Sequence, residues 1–244
     1  MRAVITGATT GIGFATAQCL GQAGYEIIIL SIDEANRQSA LDDLAQKGIK
    51  ASYYSCDVTS EQAVQDAFAA ICAQADSVDL LVNAVGGLGG RQAVSEMETS
   101  FMRKVMALNF DSVFFVTRAC LPLLKKGKNP SIINFSTIAV TSGGGPGASI
   151  YSASKGAVLS YTRGLAKDLA QFGIRVNAVS PGTIDTPFHA ATARSLVESW
   201  KNDILMKRLG RPEEVASVIR FLASEEASFI TGEVIQINGG QAFL

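Results

Sequence analysis

The chain has 244 residues, with 48% hydrophobic and 18% charged side chains, which describes one folded globular unit and excludes a disordered chain. The formal net charge is −1 and no basic stripe is present, which argues against a nucleic-acid-binding or anionic-membrane-binding protein. No apolar stretch of about 20 residues suggests a membrane span, and the start of the chain lacks the apolar core of a secretory signal. We therefore expect a cytoplasmic protein.

The cysteine pattern gives no sign of a metal site. Cys19, Cys56, Cys72 and Cys120 lack metal-ligand spacing and lie in apolar or helical surroundings, so we interpret them as buried free thiols in a reducing compartment. No cluster of His, Cys, Asp or Glu suggests a bound metal either, and none is predicted.

Short apolar runs alternate with amphipathic stretches along the whole chain. Because the runs are mostly apolar throughout and the links are short, they predict a parallel sheet with helices on both faces. We predict one doubly wound α/β domain of Rossmann type over residues 1–244. Its strands are expected at 2–6, 26–30, 50–55, 80–82, 131–135, 175–179 and 233–237, and its helices at about 11–24, 61–73, 99–124, 151–173 and from Pro212 onward.

A glycine-rich turn separates the first strand from the first helix. The segment from Thr6 to Gly13 has the spacing Gly-xxx-Gly-x-Gly, which differs from the Gly-x-Gly-xx-Gly of most dinucleotide folds. Glycines there permit close approach of the backbone to a pyrophosphate at a helix N-terminus. Other polar residues also follow predicted strands, namely Ser31, Asp57, Asn83, Thr137 and Pro181-Gly182. Ligands of such sheets bind at this edge, so the distribution indicates a site.

Tyr151 and Lys155 lie four residues apart, on one face of a predicted helix. A nearby ammonium favours the phenolate, so we expect Lys155 to lower the Tyr151 pKa and to make this tyrosine a proton donor and acceptor. An aromatic ring packed on a lysine stem would give the same spacing.

Together these motifs resemble the short-chain dehydrogenases/reductases over nearly the whole chain. The resemblance implies a nicotinamide coenzyme, with Asp57 beside Val58 at the adenine and Asn83-Ala84-Val85-Gly86 in place of the family's Asn-Asn-Ala-Gly. The turn Pro181 to Pro187 would contact the nicotinamide carboxamide. The expected coenzyme-binding residues are Gly7, Thr9, Thr10, Gly11, Ile12, Gly13, Ser31, Asp57, Val58, Asn83, Ala84, Val85, Tyr151, Lys155, Pro181, Gly182, Ile184 and Thr186.

The choice between NAD and NADP depends on the end of the second strand. Ser31 stands where the family's NAD-selecting acid usually lies, and no arginine follows it. Asp33 serves either as a displaced acid or as a helix cap. Small Ser31 and Thr10 leave room for a phosphate, which slightly favours NADP.

The resemblance also implies the chemistry. Tyr151 would be the acid in carbonyl reduction and the base in alcohol oxidation, Lys155 would lower its pKa and hold the nicotinamide ribose, and Asn109 would kink its helix and anchor a water. The family's catalytic serine corresponds to Thr137, with Ser136 as the alternative. Threonine offers the same hydroxyl with a stiffer χ1.

Two substrate classes remain open for this oxidoreductase of secondary alcohols and ketones. A 3-oxoacyl thioester is favoured by the basic cluster Lys125, Lys126 and Lys128, and disfavoured by Phe172, where carrier-protein reductases of the family tend to carry a basic residue. A free polyol or sugar is the other class, and a coenzyme-binding regulator with little catalysis is an alternative of a different kind. The resemblance further implies a homotetramer and a substrate lid over about 183–209, with His189, Phe188 and Trp200 in it.

Overall fold

Seven short, mostly apolar segments form one parallel sheet in this computed structural model, which describes residues 1–187 and 194–243 without the side chains of 194–196. Each segment is rich in β-branched and other apolar residues, which suit a strand covered on both faces. The strands are β1 Arg2–Thr6, β2 Glu26–Ser31, β3 Ala51–Ser55, β4 Leu80–Asn83, β5 Ser131–Phe135, β6 Arg175–Pro181 and β7 Val234–Ile237.

The strand order in the sheet is β3-β2-β1-β4-β5-β6-β7, with every neighbouring pair parallel. The chain winds outward from β1 to one edge and then from β4 to the other edge. The order therefore reverses between β1 and β4, where a crevice opens at the carboxyl ends of the strands. The predicted seven-stranded, doubly wound α/β fold is confirmed.

The helices connect the strands and cover both faces of the sheet. Their bounds are α1 Gly11–Gln22, α2 Arg37–Gln46, α3 Glu61–Cys72, α4 Thr99–Met106, α5 Ser112–Leu124, α6 Ala139–Ser142, α7 Ser149–Leu169, α8 Arg194–Asp203 and α9 Pro212–Ala223. A π-helical turn, Ala107–Asp111, joins α4 to α5, and a short 3-10 turn, Ala170–Phe172, follows α7.

Alternate residues of each strand supply two separate cores, because successive strand side chains point to opposite faces. On one face, Val4 and Ile132 pack into a core with Phe68 and Cys120 from α3 and α5. On the other face, Ile5 packs into a core to which α1 and α9 contribute Leu20, Val215 and Ile219. Both cores hold the strand ends in place beneath the crevice.

One helical stretch, Thr99–Leu124, could cross a membrane by length and composition alone, with a hydropathy of 1.3 in its most apolar window. The prediction that no such stretch exists is wrong in that respect. The finding is weak evidence for a span, because the core helix of a soluble protein can have the same length and apolar composition. Here Val116, Cys120 and Leu124 of the stretch are buried in the core against the sheet.

The structure bears on two further expectations, those for the cysteines and for the substrate lid. Cys56 and Cys120 are buried free thiols as expected, but Cys72 is exposed because it ends α3 on the outer side, and Cys19 is half-buried. The lid expected over 183–209 is described only in part, and Phe188 and His189 lie outside the described residues.

Candidate active site

A cavity of about 810 Å³ opens at the carboxyl ends of the central strands. It extends from the glycine turn after β1, past the ends of β4 and β5, to the turn after β6. Twelve of the predicted coenzyme-binding residues line it, namely Gly7, Thr10, Gly11, Ile12, Gly13, Ala84, Tyr151, Lys155, Pro181, Gly182, Ile184 and Thr186.

The turn between β1 and α1 requires its glycines. Gly7 and Gly11 have φ angles of 65° and 56°, in the left-handed region that side chains with a Cβ rarely adopt. A Cβ on Gly13 would overlap the carbonyl of Gly7. The turn is thus a bare backbone cradle at the start of α1, which fits a pyrophosphate approaching the helix N-terminus.

A hydroxyl that the sequence analysis did not select, that of Thr6, joins this turn to the end of β4. Its Oγ1 accepts hydrogen bonds from the backbone N–H groups of Ala84, at 2.9 Å, and Val85, at 3.0 Å. The Val85 side chain packs so near Gly7 that a Cβ on the glycine would lie 3.0 Å from it. The two loops therefore hold each other at the switch point of the sheet.

Tyr151 and Thr137 meet at the wall of the cavity. Tyr151 lies in the first turn of α7, Thr137 follows β5, and both side chains line the cavity, with the Thr137 hydroxyl close enough to Tyr151 to influence its pKa. Burial raises the pKa of Tyr151, and the hydrogen bond with Thr137 partly offsets that rise. Ser136 also lines the cavity, but the hydroxyl that lowers the Tyr151 pKa is that of Thr137.

Lys155 is buried one helical turn beyond Tyr151, and its Nζ donates a 3.0 Å hydrogen bond to the Phe135 carbonyl at the end of β5. Burial lowers the pKa of this amine to about 8. The expectation that Lys155 lowers the Tyr151 pKa is wrong for this arrangement. The pKa of Tyr151 is raised rather than lowered, and burial is the largest cause.

Asn109 is fully buried in the π-helical turn, where the expected break of the long helix occurs. Its Oδ1 accepts from Gly87 N, and its Nδ2 donates to Gly87 O and Val105 O, each at 2.9 Å. A Cβ on Gly86 would come within 2.7 Å of Lys155 Nζ and 2.8 Å of Asn109 Oδ1. Asn109 thus clamps the loop after β4 and faces the same small space as Lys155.

The turn after β6 closes the other side of the cavity. Gln241 Oε1 accepts from the backbone N–H of Thr183, at 3.0 Å, and a Cβ on Gly182 would lie 2.7 Å from the Cβ of Asn238. Thr186 and Pro187 lie against the glycine turn, within 3.9 Å of where a Cβ on Gly11 would be. The turn therefore reaches across toward the start of α1.

Six predicted coenzyme residues lie outside this cavity lining, namely Thr9, Ser31, Asp57, Val58, Asn83 and Val85. Val58 belongs to the core, and Asn83 turns its amide into the interior, where Nδ2 donates to Thr117 and Asn134. Exposed Asp57 accepts from the backbone and hydroxyl of Thr59. Thr9 lies in the glycine turn, and the other five lie at or just after the ends of β2, β3 and β4.

The end of β2 is organised by Asp33. Its carboxylate accepts a 2.8 Å hydrogen bond from the Thr9 hydroxyl of the glycine turn, and its own N–H donates to Ser31 Oγ at 3.1 Å. Hydrogen bonds from Asn36 and Thr9 lower the pKa of Asp33, so the group is a carboxylate at neutral pH. A fixed negative charge therefore stands beside the glycine turn.

Several lining residues were missed from the sequence, among them Gly86, Leu88, Arg91, Ile138 and Ser142, whereas Trp200 had been expected in the lid. Gly86 belongs to the segment Asn83–Gly86 that carries the family resemblance, so its glycine was an available signal. Arg91 belongs to no local pattern, and only the folded chain brings it to the cavity. Within residues 1–187 and 194–243 no group of three or more His, Cys, Asp or Glu side chains is arranged to hold a metal.

Comparisons with known proteins agree with this geometry. A family model described as enoyl-(acyl carrier protein) reductase matches residues 7–242. The 3-oxoacyl-[acyl-carrier-protein] reductase of Aquifex aeolicus is 36% identical over 238 residues, which cover 97% of this chain and 95% of that protein. The cyclopentanol dehydrogenase of a Comamonas species is 34% identical over 239 residues, with coverage of 97% and 95%.

A solved structure, that of an NADH-dependent reductase A1-R′ responsible for alginate metabolism, superimposes with a TM-score of 0.91 at 33% identity, covering 100% of this chain and 97% of that one. A glycine cradle, a switch-point crevice and a Tyr–Lys pair at its wall define a nicotinamide-dependent oxidoreductase. The chain belongs to the short-chain dehydrogenase/reductase family. It is an enzyme that transfers a hydride between a nicotinamide coenzyme and an alcohol or ketone, as predicted from its sequence.

Proposed function

We propose that Tyr151 is the general acid in ketone reduction and the general base in alcohol oxidation, with Thr137 bonded to the same substrate oxygen. The observation that carries this proposal is the position of the Tyr151 and Thr137 hydroxyls in the lining of one cavity, where Thr137 also lowers the pKa of Tyr151. Two hydroxyls held together there can both reach one carbonyl oxygen, one giving its proton and the other donating a stabilising hydrogen bond. The coenzyme, when bound, supplies or accepts the hydride.

Lys155 and Asn109 would assist proton transfer to and from Tyr151. Lys155 lies on the same face of α7 one turn away, and a pKa of about 8 lets its amine gain or lose a proton near neutral pH. The space that Lys155 Nζ and Asn109 Oδ1 face together is a position where a water could join them to Tyr151. We assign to Lys155 the binding of the nicotinamide ribose and to Asn109 the positioning of this relay.

Replacing Tyr151 tests the central assignment. Tyr151→Phe removes the proton and keeps the ring, so kcat should fall about 10²–10⁴-fold, the range for loss of a general acid–base group. Coenzyme affinity, measured by fluorescence titration, should change little because the cradle is untouched. Tyr54→Phe, outside the cavity lining, is the matched control. Unchanged turnover in Tyr151→Phe would sink the proposal.

The coenzyme that we propose is NAD, although small Ser31 and Thr10 had slightly favoured NADP. The Asp33 carboxylate, bonded to Thr9, places a negative charge beside the glycine turn, where a ribose 2′-phosphate would be repelled and a 2′-hydroxyl could be accepted. The related reductase A1-R′ is described as NADH-dependent. The wild type should therefore bind NADH more tightly than NADPH in parallel titrations.

Asp33→Ser should bring the two affinities to within about tenfold of each other by removing one repulsive charge. Asp42→Ser, which removes an exposed carboxylate from α2, should leave the preference unchanged. Tighter binding of NADPH by the wild type would instead restore the preference for NADP that Ser31 had suggested.

For the substrate, a small ketone or secondary alcohol is the first candidate, since the cavity wall is largely apolar and the Comamonas relative is named for cyclopentanol. A 3-oxoacyl thioester is the second candidate. The Lys125 ammonium lies 3.7 Å from the centre of the Phe172 ring, so this surface keeps a positive charge although residue 172 is not basic. Turnover of acetoacetyl-coenzyme A and of cyclopentanone by the same preparation separates the two.

We further propose a cytoplasmic homotetramer. In support, half-buried aromatic side chains of the π-helical turn, α5 and α7 form one cluster, namely Phe110, Phe114, Phe115 and Tyr161. These two helices are the ones that the family resemblance places at a subunit interface.

A further inference from the structure

Arg91 brings a positive charge to the lining of the cavity. It is an exposed residue of the loop between β4 and α4 and lines the same cavity as Leu88 and Trp200. Among the described lining residues, Arg91 and Lys155 carry positive charges and no Asp or Glu is present. Because Lys155 is buried beside Tyr151, Arg91 is the cation of this described lining that is available to bind a ligand.

The position of Arg91 is fixed by the glycine-rich loop before α7. Its Nη1 donates a 3.0 Å hydrogen bond to the Pro146 carbonyl, and the next residue, Gln92, donates from its backbone N–H to the Gly147 carbonyl at 3.2 Å. A guanidinium has five N–H donors, and this is the bond that Arg91 makes within the part of the chain the structure describes. Most of its donors therefore remain for a ligand.

The glycines of that loop make this contact possible. A Cβ on Gly147, whose φ is 75°, would lie 3.0 Å from both the Arg91 Cβ and the Gln92 nitrogen. A Cβ on Gly145 would lie 3.2 Å from Arg91 Nη1. The glycine-rich loop between α6 and α7 thus holds Arg91 in the cavity lining.

We propose that Arg91 is a specificity-determining residue that binds an anionic oxygen group, a carboxylate or a phosphate, on the substrate whose carbonyl lies at Tyr151. The inference rests on the proposed function, because it assigns the substrate class of the same site. A guanidinium whose partner is a backbone carbonyl, in a wall without acidic side chains, binds anions through charge-assisted hydrogen bonds. The surrounding apolar wall then holds the carbon chain between the two polar ends.

Matched substrate pairs test the charge directly. Pyruvate, acetoacetate and levulinate place a carboxylate at three distances from the ketone, and their methyl esters remove the charge. Acetoacetyl-coenzyme A and the acetoacetyl thioester of N-acetylcysteamine form a fourth pair, which differs in phosphates. We expect the wild type to favour the charged member of at least one pair.

In Arg91→Gln, KM for that charged member should rise about tenfold with kcat nearly unchanged, as expected when binding shared by ground and transition states is lost. The neutral member should be affected less than about twofold. Arg91→Lys should recover part of the loss, because lysine keeps the positive charge but lacks the paired N–H donors of the guanidinium. Lys47→Gln, which removes an exposed charge outside the cavity lining, should change neither member.

The outcomes separate the two sources of the anion. An effect confined to an oxo acid and its ester identifies a carboxylate, and an effect confined to the thioester pair identifies a carrier phosphate. Equal losses on charged and neutral members, or no preference in any pair, overturns the proposal.

A binding measurement keeps this test apart from the proposed function. Trp200 is the one tryptophan of the chain and lines the same cavity, so quenching of its fluorescence by the same probes reports occupancy without turnover. If no ketone is reduced, the hydride-transfer assignment fails, and the quenching preference of wild type over Arg91→Gln for the charged probes still decides the role of Arg91.

Discussion

Thr137 shows how a single hydroxyl can set the acidity of the proposed catalytic tyrosine. Burial raises the Tyr151 pKa, and the hydrogen bond with Thr137 is the contribution that lowers it. Such a bond favours the phenolate, which is the form that accepts a proton during alcohol oxidation. The methyl group that distinguishes threonine from serine restricts χ1 and so holds the hydroxyl toward the cavity.

We predict that Thr137→Val lowers kcat/KM for alcohol oxidation about a hundredfold, the loss typical of one stabilising donor. Because the bond that lowers the Tyr151 pKa is gone, the limb of the pH profile that rises with pH should move to higher pH. Thr137→Ser should retain most activity, and Thr141→Val, on exposed α6, serves as the control. A large loss in Ser136→Ala with Thr137→Val active would transfer the role to Ser136.

For single residues, the sequence predicts which side chains form the site better than it predicts their pKa values. Tyr151 and Lys155 can be selected from their spacing, because helical geometry alone puts them on one face. The sign of the Tyr151 shift could not be predicted, since it depends on burial and on a bond to residue 137, which only folding creates. Arg91 left no trace for the same reason: its partner Pro146 is 55 positions away.

The π-helical turn between α4 and α5 is the element that joins the long helix to the active site. One extra residue in the turn directs Asn109 inward, where its amide meets both backbone groups of Gly87. Turns of this kind commonly mark functional positions. The loop after β4 is therefore held from a neighbouring helix and does not depend on its own turn residues alone.

We predict that Asn109→Ala lowers the free energy of unfolding by about 2–4 kcal/mol, because it removes a buried amide and its three hydrogen bonds to the backbone of Gly87 and Val105. Activity should fall as well, since the loop after β4 loses this support. Urea denaturation at fixed protein concentration and steady-state kinetics measure the two effects. Gln65→Ala, on exposed α3, controls for loss of a surface amide. Full activity at reduced stability would confine Asn109 to a structural role.

Elements were more predictable than their ends. The apolar runs predicted the bounds of every strand to within two residues. A strand covered on both faces of the sheet is marked by a continuous apolar sequence, which is easy to recognise. β6 differs most from its predicted bounds. The strand continues through Pro181, whose carbonyl accepts a hydrogen bond from the backbone N–H of Ile138. The cavity wall formed by loops 87–91 and 143–147 has no such periodic signal, and its course depends on glycine contacts between distant segments.

At the scale of the whole molecule, α5 and α7 leave several apolar side chains partly exposed. Less than half of the most apolar window of Thr99–Leu124 is buried, at 44%. Half-exposed rings of Phe114 and Tyr161, 6.2 Å apart between centres, continue the same face. Apolar area of this kind is typical of a subunit interface in a stable oligomer.

We predict that light scattering gives the mass of four chains for the wild type and that Phe114→Asp reduces it to two or one, because a charge would be buried without a partner in the interface. Val94→Asp, on an exposed loop between β4 and α4, should leave the mass unchanged. A wild-type mass of one chain contradicts the tetramer, whatever the variants do.

The contact between Gln241 and Thr183 also bears on the order in which the site forms. These residues are 58 positions apart, and Asn238, which packs on Gly182, follows β7 at the edge of the sheet. Contacts between segments so distant in sequence form late in folding, because the chain between them must first be ordered. Recovery of coenzyme binding during refolding should therefore lag behind recovery of helical circular dichroism, which makes the turn after β6 a natural reporter of the completed sheet.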